Sequence, residues 1–227
     1  MALDTSIECV LFDLDGSLID TALDFKRVVD KLTAENNRDT VSTERIYQTV
    51  SDGARALTKL AFSIDENHET FEPLNQRLLD LYYEELKNTQ AVLYPGLEDL
   101  LAEMEASNIP WGIVTNKPEK YTLRLLENMQ LLHRCGALVC PDHVENRKPH
   151  PEPILKACET LSANTERTVY VGDHVRDIQA AKNADVIAVA AAYGYLGPDV
   201  KAEEWYADFI VQESTQIAGL LNMLKFA

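Results

Sequence analysis

The stretch Val10-Leu11-Phe12-Asp13-Leu14-Asp15-Gly16-Ser17 indicates both how this chain folds and where its chemistry lies. It begins as an apolar run, which predicts a buried strand, and it ends in two carboxylates followed by a glycine. Because residues i and i+2 of a strand point to the same side, Asp13 and Asp15 reach one spot at the C-terminal end, where open α/β sheets bind ligands. Two carboxylates so close need a divalent cation or a shared proton, although an ordinary acidic turn would give the same pattern.

Composition narrows the classes of function. The 227-residue chain has a formal net charge of -16, so we predict neither a nucleic-acid partner nor a membrane partner. A phosphate site would need local positive charge from a metal, a lysine or a helix N-terminus. There is no signal-peptide pattern and no long apolar run, which predicts a cytoplasmic protein, expected to be a monomer or weak dimer. The four cysteines form no C-x-x-C pair and are expected to be buried free thiols; they are Cys9, Cys135, Cys140 and Cys158.

Short apolar runs alternate with amphipathic helical patterns along most of the chain. One such helical pattern places Leu97, Leu100, Leu101 and Met104 at the i, i+3, i+4, i+7 spacing. The alternation predicts an α/β fold with a parallel sheet covered by helices on both faces. The candidate strands are residues 9–12, 111–115, 137–140, 168–172, 186–190 and 209–211.

The alternation is interrupted between the first and second candidate strands. From about Asp20 to Val92 the sequence shows no convincing strand, and helical patterns cover residues 23–36, 43–50, 54–62 and 71–87. We therefore expect a core domain of residues 1–18 and 94–227 and a helical cap domain of residues 19–93. An insert directly after the carboxylate pair is placed to act as a lid, and a purely structural elaboration is the alternative.

Three further groups of polar residues follow candidate strands. Thr115 and Asn116 can bind phosphate oxygens, although such residues commonly cap helices. Lys148 precedes prolines that could hold it in place, although a lone lysine is normally solvated. Asp173 and Asp177 are spaced i, i+4, so a helix would place both on one face. Each signal is weak alone, but the whole set in this order is specific.

These motifs resemble those of the haloacid dehalogenase (HAD) superfamily. The matching stretches are Asp13-Leu14-Asp15-Gly16-Ser17, Thr115-Asn116, Lys148-Pro149 and Gly172-Asp173 with Asp177, and the match covers essentially the whole chain. The resemblance implies the HAD fold, a Rossmann-like parallel sheet core with an inserted α-helical cap of the first type. The dehalogenases proper lack an aspartate at the position that corresponds to Asp15, so its presence here points to the phosphate-transferring branch.

The resemblance also implies a reaction, the hydrolysis of a phosphomonoester through an aspartyl-phosphate. Asp13 would be the nucleophile, and Asp15 would protonate the leaving oxygen and then activate water. Lys148 would neutralise charge on Asp13 and on the phosphate. Thr115 and the Asn116 backbone would donate hydrogen bonds to the same phosphate group.

A magnesium ion is the cofactor that the resemblance implies. Its ligands would be the Asp13 carboxylate, the Asp15 backbone carbonyl and the Asp173 carboxylate, with waters completing the octahedron. Asp177 would orient those waters or Lys148. His174 stands where relatives often have Asp or Ser, and we interpret it as solvated or supporting, because Mg²⁺ prefers oxygen ligands.

The predicted substrate is a small phosphomonoester, of which a carboxylated sugar phosphate is the favoured kind. The chain looks like the phosphoglycolate phosphatase group and is most similar to the N-acetylmuramic acid 6-phosphate phosphatases, through residues 50–56, 111–118 and 140–144. In the cap, Ser51 and Gly53 precede a predicted helix, whose N-terminus would favour an anion, and Arg55 could bind a carboxylate. An interhelix turn with a surface arginine is equally compatible with that pattern.

Several alternatives stay open at this point. A 2-phosphoglycolate phosphatase would use the same chemistry on a smaller carboxylated substrate. A phosphomutase of the same superfamily would retain the phosphoryl group, and a non-catalytic phospho-ligand sensor would carry out no turnover. The sequence also leaves open whether Lys117, Tyr121 or His174 contacts the ligand.

Overall fold

The predicted strands form one parallel sheet. The computed structural model describes residues 7–224, so the ends of the predicted core, residues 1–6 and 225–227, lie outside the described part. Within it the strands are β1 (Cys9–Phe12), β2 (Ile19–Asp20), β3 (Val92–Leu93), β4 (Trp111–Val114), β5 (Ala137–Val139), β6 (Thr168–Gly172), β7 (Ile187–Ala191) and β8 (Phe209–Val211). Six of them make a parallel sheet in the order β5-β4-β1-β6-β7-β8, which confirms the predicted fold class.

Helices follow the strands and fill the insert. Those of the insert are α1 (Ala22–Glu35), α2 (Thr43–Tyr47), α3 (Gly53–Phe62) and α4 (Phe71–Glu85). Those of the core are α5 (Leu97–Ala106), α6 (Glu119–Asn128), α7 (Glu152–Leu161), α8 (Val175–Asn183) and α9 (Gln216–Met223). Among residues 7–224, every helix is too short or too polar to cross a bilayer.

Strand β1 lies at the centre of the sheet, between β4 and β6, and all four of its residues are buried. Val10 and Phe12 pack into one apolar cluster, whereas Cys9 and Leu11 pack into another. A strand covered on both faces needs a continuous apolar run, which is what the sequence has there. Removing each of these large side chains from water contributes roughly 1.5–3 kcal/mol, so β1 is held firmly where its acidic C-terminal end is needed.

The helical insert is joined to the core by a short ribbon that the sequence did not reveal. Strands β2 and β3 pair antiparallel, with Ile19 opposite Leu93 and Asp20 opposite Val92. These residues lie at the two ends of the region in which no strand was predicted. Two residues are too few to show the alternation by which a strand is recognised, so the prediction missed them.

The insert has its own internal packing. Phe25 of α1 stacks on Tyr82 of α4 with ring centroids 4.1 Å apart and an angle of 9° between the planes. Asp24 is fully buried and accepts hydrogen bonds from the Gln90 amide at 2.9 Å and from Arg27 at 2.5 Å. This buried carboxylate ties α1 to the segment that leads back to the core.

Candidate active site

The carboxyl ends of the three central strands bring the predicted residues together. Asp13 follows β1, Thr115 follows β4 and Asp173 follows β6, and these strands are neighbours in the sheet. Lys148 lies in the loop before α7, and its ammonium reaches the same place. The arrangement follows the rule that ligands of open α/β sheets bind outside the carboxyl ends of the strands.

The Lys148 ammonium is buried among four oxygen atoms. Nζ lies 2.8 Å from Oδ1 of Asp13 and 2.8 Å from Oδ1 of Asp177. It also lies 2.8 Å from the carbonyl oxygen of Val114 and 2.7 Å from the hydroxyl oxygen of Tyr170. An ammonium has only three protons, so the acceptors outnumber the donors and the lysine is held tightly in one position.

Charge in this cluster is unbalanced, because one ammonium faces three buried carboxylates. Burial raises the pKa of the Asp13 carboxyl, Lys148 opposes this effect, and Asp177 adds to it. Burial also raises the pKa of Asp173 to about 8, with further contributions from Asp13 and Asp177. Burial lowers the pKa of Lys148, but the two carboxylates it contacts outweigh this and hold it above its ordinary value. The single positive charge of Lys148 therefore cannot balance three carboxylates.

The three carboxylates fit a divalent metal ion. Asp13, Asp173 and Asp177 each offer an oxygen atom, and these atoms lie within 4.8 Å of one another. Oxygen donors with excess negative charge are the set that Mg²⁺ prefers. Asp177 accepts with both oxygens, from Lys148 at Oδ1 and from the amide of His174 at Oδ2, at 3.1 Å, whereas among the described residues the Lys148 ammonium engages Asp13 at Oδ1 only.

Gly16 allows the loop after β1 to approach Asp173. Its φ is +88°, and a Cβ atom added there would lie 2.1 Å from Oδ2 of Asp173. Both the left-handed backbone and the lack of a side chain are therefore required at this position. The same carboxylate accepts hydrogen bonds from the Tyr195 amide at 3.0 Å and from the Ser17 hydroxyl at 3.4 Å, which fixes its orientation.

Asp15 lies beside the cluster but has different partners. Its Oδ1 accepts a hydrogen bond from the Thr21 hydroxyl at 2.5 Å. The Lys117 ammonium is 2.9 Å from Oδ1 and 3.1 Å from Oδ2, so it contacts both oxygens of the carboxylate. Lys117, whose role the sequence left open, is thus the ion-pair partner of the predicted acid and base.

The residues after β4 have a more varied role than the sequence suggested. The Thr115 hydroxyl oxygen accepts a hydrogen bond from the Lys117 amide at 3.1 Å. The Asn116 side chain donates to the carbonyl oxygen of Lys148 at 3.0 Å, so it supports the loop that carries the lysine. Oδ1 of Asn116 is buried without a hydrogen-bond partner among residues 7–224.

A short turn of the insert contacts the core at the same place. The Ser51 hydroxyl donates to Oδ2 of Asp173 at 2.8 Å. Arg176 donates to the carbonyl oxygen of Ser51, and Nε2 of His174 lies 3.5 Å from Oδ1 of Asp52. The predicted cap residue Ser51 therefore lies at the acidic cluster, and His174 faces the insert.

Tyr170 is a positioning residue that sequence reasoning missed. Its hydroxyl lies 2.7 Å from Nζ of Lys148, 2.9 Å from the carbonyl oxygen of Val114 and 3.3 Å from Oδ1 of Asp177. The residue occupies a buried strand position, where a tyrosine looks like any other large core side chain. The hydroxyl thus orients Lys148 without itself reaching the reacting atoms.

We expect Tyr170→Phe to lower kcat about 5-fold and to leave KM nearly unchanged, because the loss of one buried hydrogen bond weakens the positioning of Lys148 by about 1 kcal/mol. Steady-state kinetics on the purified variant measures both constants. Tyr206→Phe is the matched control, because Tyr206 is 83% exposed. An unchanged kcat in Tyr170→Phe would show that the hydroxyl only fills space.

The family of the chain follows from comparison with known proteins. The family model described as haloacid dehalogenase-like hydrolase matches residues 10–191, a span that contains Asp13, Lys148 and Asp173. The chain belongs to the haloacid dehalogenase-like hydrolase family. The predicted resemblance is thereby confirmed, and the matched span contains the strand-end cluster.

Curated relatives narrow the class of enzyme. The HAD hydrolase is 36% identical to the N-acetylmuramic acid 6-phosphate phosphatase of Pseudomonas putida over 216 residues, which is 95% of this chain and 96% of that protein. It is 38% identical over 208 residues to a phosphoglycolate phosphatase of Xanthomonas campestris, covering 92% and 93% of the two chains. With such relatives over nearly its whole length, this HAD hydrolase is a phosphatase.

Solved structures share the fold of this HAD hydrolase. A predicted phosphoglycolate phosphatase from Haemophilus somnus superposes with a TM-score of 0.82 at 22% identity, covering 96% of this chain and 99% of that one. A HAD-superfamily hydrolase of subfamily IA from Geobacter sulfurreducens gives a TM-score of 0.73 at 21% identity, covering 95% and 96%. At these identities the likeness concerns the fold alone.

Arg55 of this HAD hydrolase is engaged within the insert. Its guanidinium lies 2.7 Å from carboxylate oxygens of both Glu66 and Glu72, and it stacks over the Phe71 ring at 4.6 Å from the centroid. Gly53 begins α3 with φ +82°. These contacts favour the second interpretation of the sequence, an interhelix turn with a surface arginine. The ligand role predicted for Arg55 would require breaking two ion pairs.

Proposed function

We propose that this phosphatase hydrolyses a carboxylated phosphomonoester through an aspartyl-phosphate on Asp13, with Mg²⁺ as cofactor. The observation that carries the proposal is the buried Asp13 carboxylate, held 2.8 Å from the Lys148 ammonium beside Asp173. A carboxylate attacks a phosphate dianion only where the surrounding charge cancels their repulsion. Lys148 provides part of that charge, and the cluster of carboxylates is suited to hold a cation that provides the rest.

The first half of the reaction forms the covalent intermediate. An oxygen of Asp13 bonds to phosphorus while the bond between phosphorus and the ester oxygen breaks. Asp15 enters this step protonated and gives that proton to the departing oxygen, so the product leaves as an alcohol. Lys148 and the Thr115 hydroxyl are placed to bind the phosphoryl oxygens during this transfer.

The second half returns the enzyme to its starting state. Asp15, now a carboxylate, takes a proton from a water molecule, whose oxygen bonds to phosphorus as the Asp13 acyl-phosphate bond breaks. Inorganic phosphate is released. Asp13 and Asp173, together with the Asp15 carbonyl, would hold Mg²⁺, which when bound neutralises charge on the phosphate and on the attacking carboxylate.

The names of the relatives support two substrates. We propose N-acetylmuramic acid 6-phosphate as the substrate, and hence a role in peptidoglycan recycling, because relatives of that name match at 36–37% identity over 95% of the chain. The alternative is 2-phosphoglycolate, because relatives of that name match at 38% identity. Both molecules carry a carboxylate. The cytoplasmic location and the monomeric or weakly dimeric state stay predictions.

Phosphate release in the presence of Mg²⁺ tests the proposal directly. We would compare kcat/KM for N-acetylmuramic acid 6-phosphate and for 2-phosphoglycolate, with Asp13→Asn as the blank. A preference for the sugar phosphate supports the first assignment, and a preference for 2-phosphoglycolate supports the alternative. Isomerisation without release of phosphate would identify a phosphomutase, and binding without any turnover would identify a sensor.

We expect Mg²⁺ to stabilise the protein more at about pH 8 than at about pH 6. The pKa of Asp173 is raised by burial, and then by Asp13 and Asp177, from 3.8 to about 8. Without metal, Asp173 of the folded protein keeps its proton up to about pH 8, whereas Asp173 of the unfolded chain has already lost it. The free energy of unfolding of the metal-free protein therefore falls as pH rises from about 6 to about 8. A metal ion replaces that proton and binds more tightly as pH rises.

Thermal unfolding with Mg²⁺ and with EDTA at the two pH values measures this difference. The gap between the two melting temperatures should be wider at the higher pH. The same measurement with Ca²⁺ in place of Mg²⁺ distinguishes two causes of the stabilisation. Both ions compensate the negative charge, but Mg²⁺ has the stricter preference for octahedral coordination. An equal gap at both pH values would contradict the assignment of Asp173 as a metal ligand.

A further inference from the structure

Lys117 occupies an unusual place for a lysine. It is 9% exposed, and its ammonium lies against the Asp15 carboxylate on one side. On the other side are the rings of Phe25 and Tyr82, whose centroids lie 5.0 and 4.6 Å from the ammonium. These rings belong to α1 and α4 of the insert, whereas Lys117 belongs to the core. The lysine therefore lies at the junction of the two parts, next to the predicted acid and base.

The ion pair between Lys117 and Asp15 conflicts with the role of Asp15 in the reaction. Lys117 contacts both carboxylate oxygens, and the Thr21 hydroxyl contacts one of them as well. To exchange a proton with the leaving oxygen, Asp15 has to free an oxygen from these partners. A buried ammonium left without an anion is costly, so Lys117 needs a second anion at that moment.

Tyr82 supplies an independent indication that something binds there. It is 1% exposed, and its hydroxyl is buried without a hydrogen-bond partner among the described residues. Burial raises its pKa well above the ordinary value, and the nearby charges of Asp15 and Asp24 raise it further. A buried hydroxyl is seldom left unpaired in a native protein, and here it belongs to the ring whose centroid lies 4.6 Å from the Lys117 ammonium.

We propose that Lys117 and Tyr82 form a subsite for a carboxylate on the leaving-group side of the substrate. The substrate carboxylate accepts hydrogen bonds from the ammonium and the hydroxyl, and thereby displaces Asp15 from Lys117. Asp15, no longer paired with the ammonium, takes up a proton from the solvent and gives it to the leaving oxygen as the bond between that oxygen and phosphorus breaks. Lys117 and Tyr82 thus have the carboxylate-binding role that the sequence suggested for Arg55, whose guanidinium is paired with Glu66 and Glu72. This inference rests on the proposed function and assigns the residues that select its substrate class.

Two matched pairs of phosphomonoesters test the subsite. 2-Phosphoglycolate and 2-hydroxyethyl phosphate differ only in that the first has a carboxylate where the second has a primary alcohol. N-acetylmuramic acid 6-phosphate and N-acetylglucosamine 6-phosphate differ only in the lactyl group. The quantity to measure is the ratio of kcat/KM within each pair, in the wild type and in Lys117→Met, whose side chain keeps the contacts with the rings.

We expect the wild type to prefer the carboxylated member of at least one pair by about 10- to 100-fold, the effect of a charge-assisted contact. Lys117→Met should bring that ratio close to one, and Tyr82→Phe should lower it less. Lys120→Met is the control, because that lysine lies over Tyr83 and Tyr121 and contacts neither Asp15 nor Tyr82 in the described part of the chain. The pair in which the wild type shows this preference indicates the distance between carboxylate and phosphate ester that the subsite accepts.

Other results would overturn the inference. A wild-type ratio near one in both pairs, or a ratio that Lys117→Met and Tyr82→Phe leave unchanged, would remove the subsite and leave the phosphatase proposal intact. If Lys117→Met has no turnover at all, the ratio in Tyr82→Phe decides, since that change removes a single oxygen atom. A wild type that releases phosphate from none of the four compounds would instead refute the proposed function itself.

Discussion

Asp13→Asn is expected to lower kcat by at least about 10,000-fold, because it removes the nucleophile of a covalent mechanism. The amide has nearly the size and shape of the carboxylate, so β1 and the loop that follows keep their packing. It has no charged oxygen with which to attack phosphorus. The rate of phosphate release at saturating substrate and Mg²⁺ measures the loss.

The control for this variant is Asp99→Asn, which makes the same chemical change at an exposed position in the first turn of α5. That protein should keep wild-type kinetics. Trapping of the intermediate gives a second readout, because denatured wild-type enzyme should carry phosphate on Asp13 during turnover and the variant should carry none. Turnover of Asp13→Asn at even a few per cent of the wild-type rate would refute the aspartyl-phosphate.

Lys148→Ala should reduce kcat/KM by about 1,000-fold and also destabilise the fold. The ammonium touches Asp13 and Asp177 in a place closed to water, so its removal leaves two buried carboxylates without their shared cation. Breaking a buried ion pair in this way typically costs about 3–5 kcal/mol. Steady-state kinetics and denaturant unfolding measure the two effects separately.

Lys201→Ala serves as the control for this variant, because that lysine is exposed. Its surface ion pair with Glu204, at 3.7 Å, contributes little to stability. Adding Mg²⁺ should restore part of the stability of Lys148→Ala but little of its rate, because a cation can balance the carboxylates without binding the same phosphate oxygen. A variant with wild-type kinetics would mean that the lysine is only a structural counter-ion.

Much of this molecule could be predicted from local patterns. Strand β1 was found with its true bounds, because its apolar residues form a short continuous run and the acidic residues that follow mark its end. The convergence of Asp13, Thr115 and Asp173 also followed, because parallel strands in an α/β sheet end on the same side. In each case the prediction needs only short stretches of sequence and the rule that parallel strands end on the same side of the sheet.

The features that could not be predicted depend on contacts between distant residues. Arg55 looked available for a ligand, because nothing in its own stretch shows that Glu66 and Glu72 return to pair with it. Tyr170 looked like a core residue, because its hydroxyl acquires a role only when Lys148 arrives from another loop. The burial of Lys117 depends on rings from the insert.

The central position of β1 has a consequence for synthesis on the ribosome. Its two neighbours are β4, at Trp111–Val114, and β6, at Thr168–Gly172, so β1 emerges long before either of them. The helices of the insert have mainly local contacts and come out next, so they are free to fold while β1 is still unpaired. Asp13, the proposed nucleophile, is thus translated early, but the lysine and the carboxylates around it come together only when most of the polypeptide has been made. We therefore expect a nascent chain stalled before Thr168 to release no phosphate.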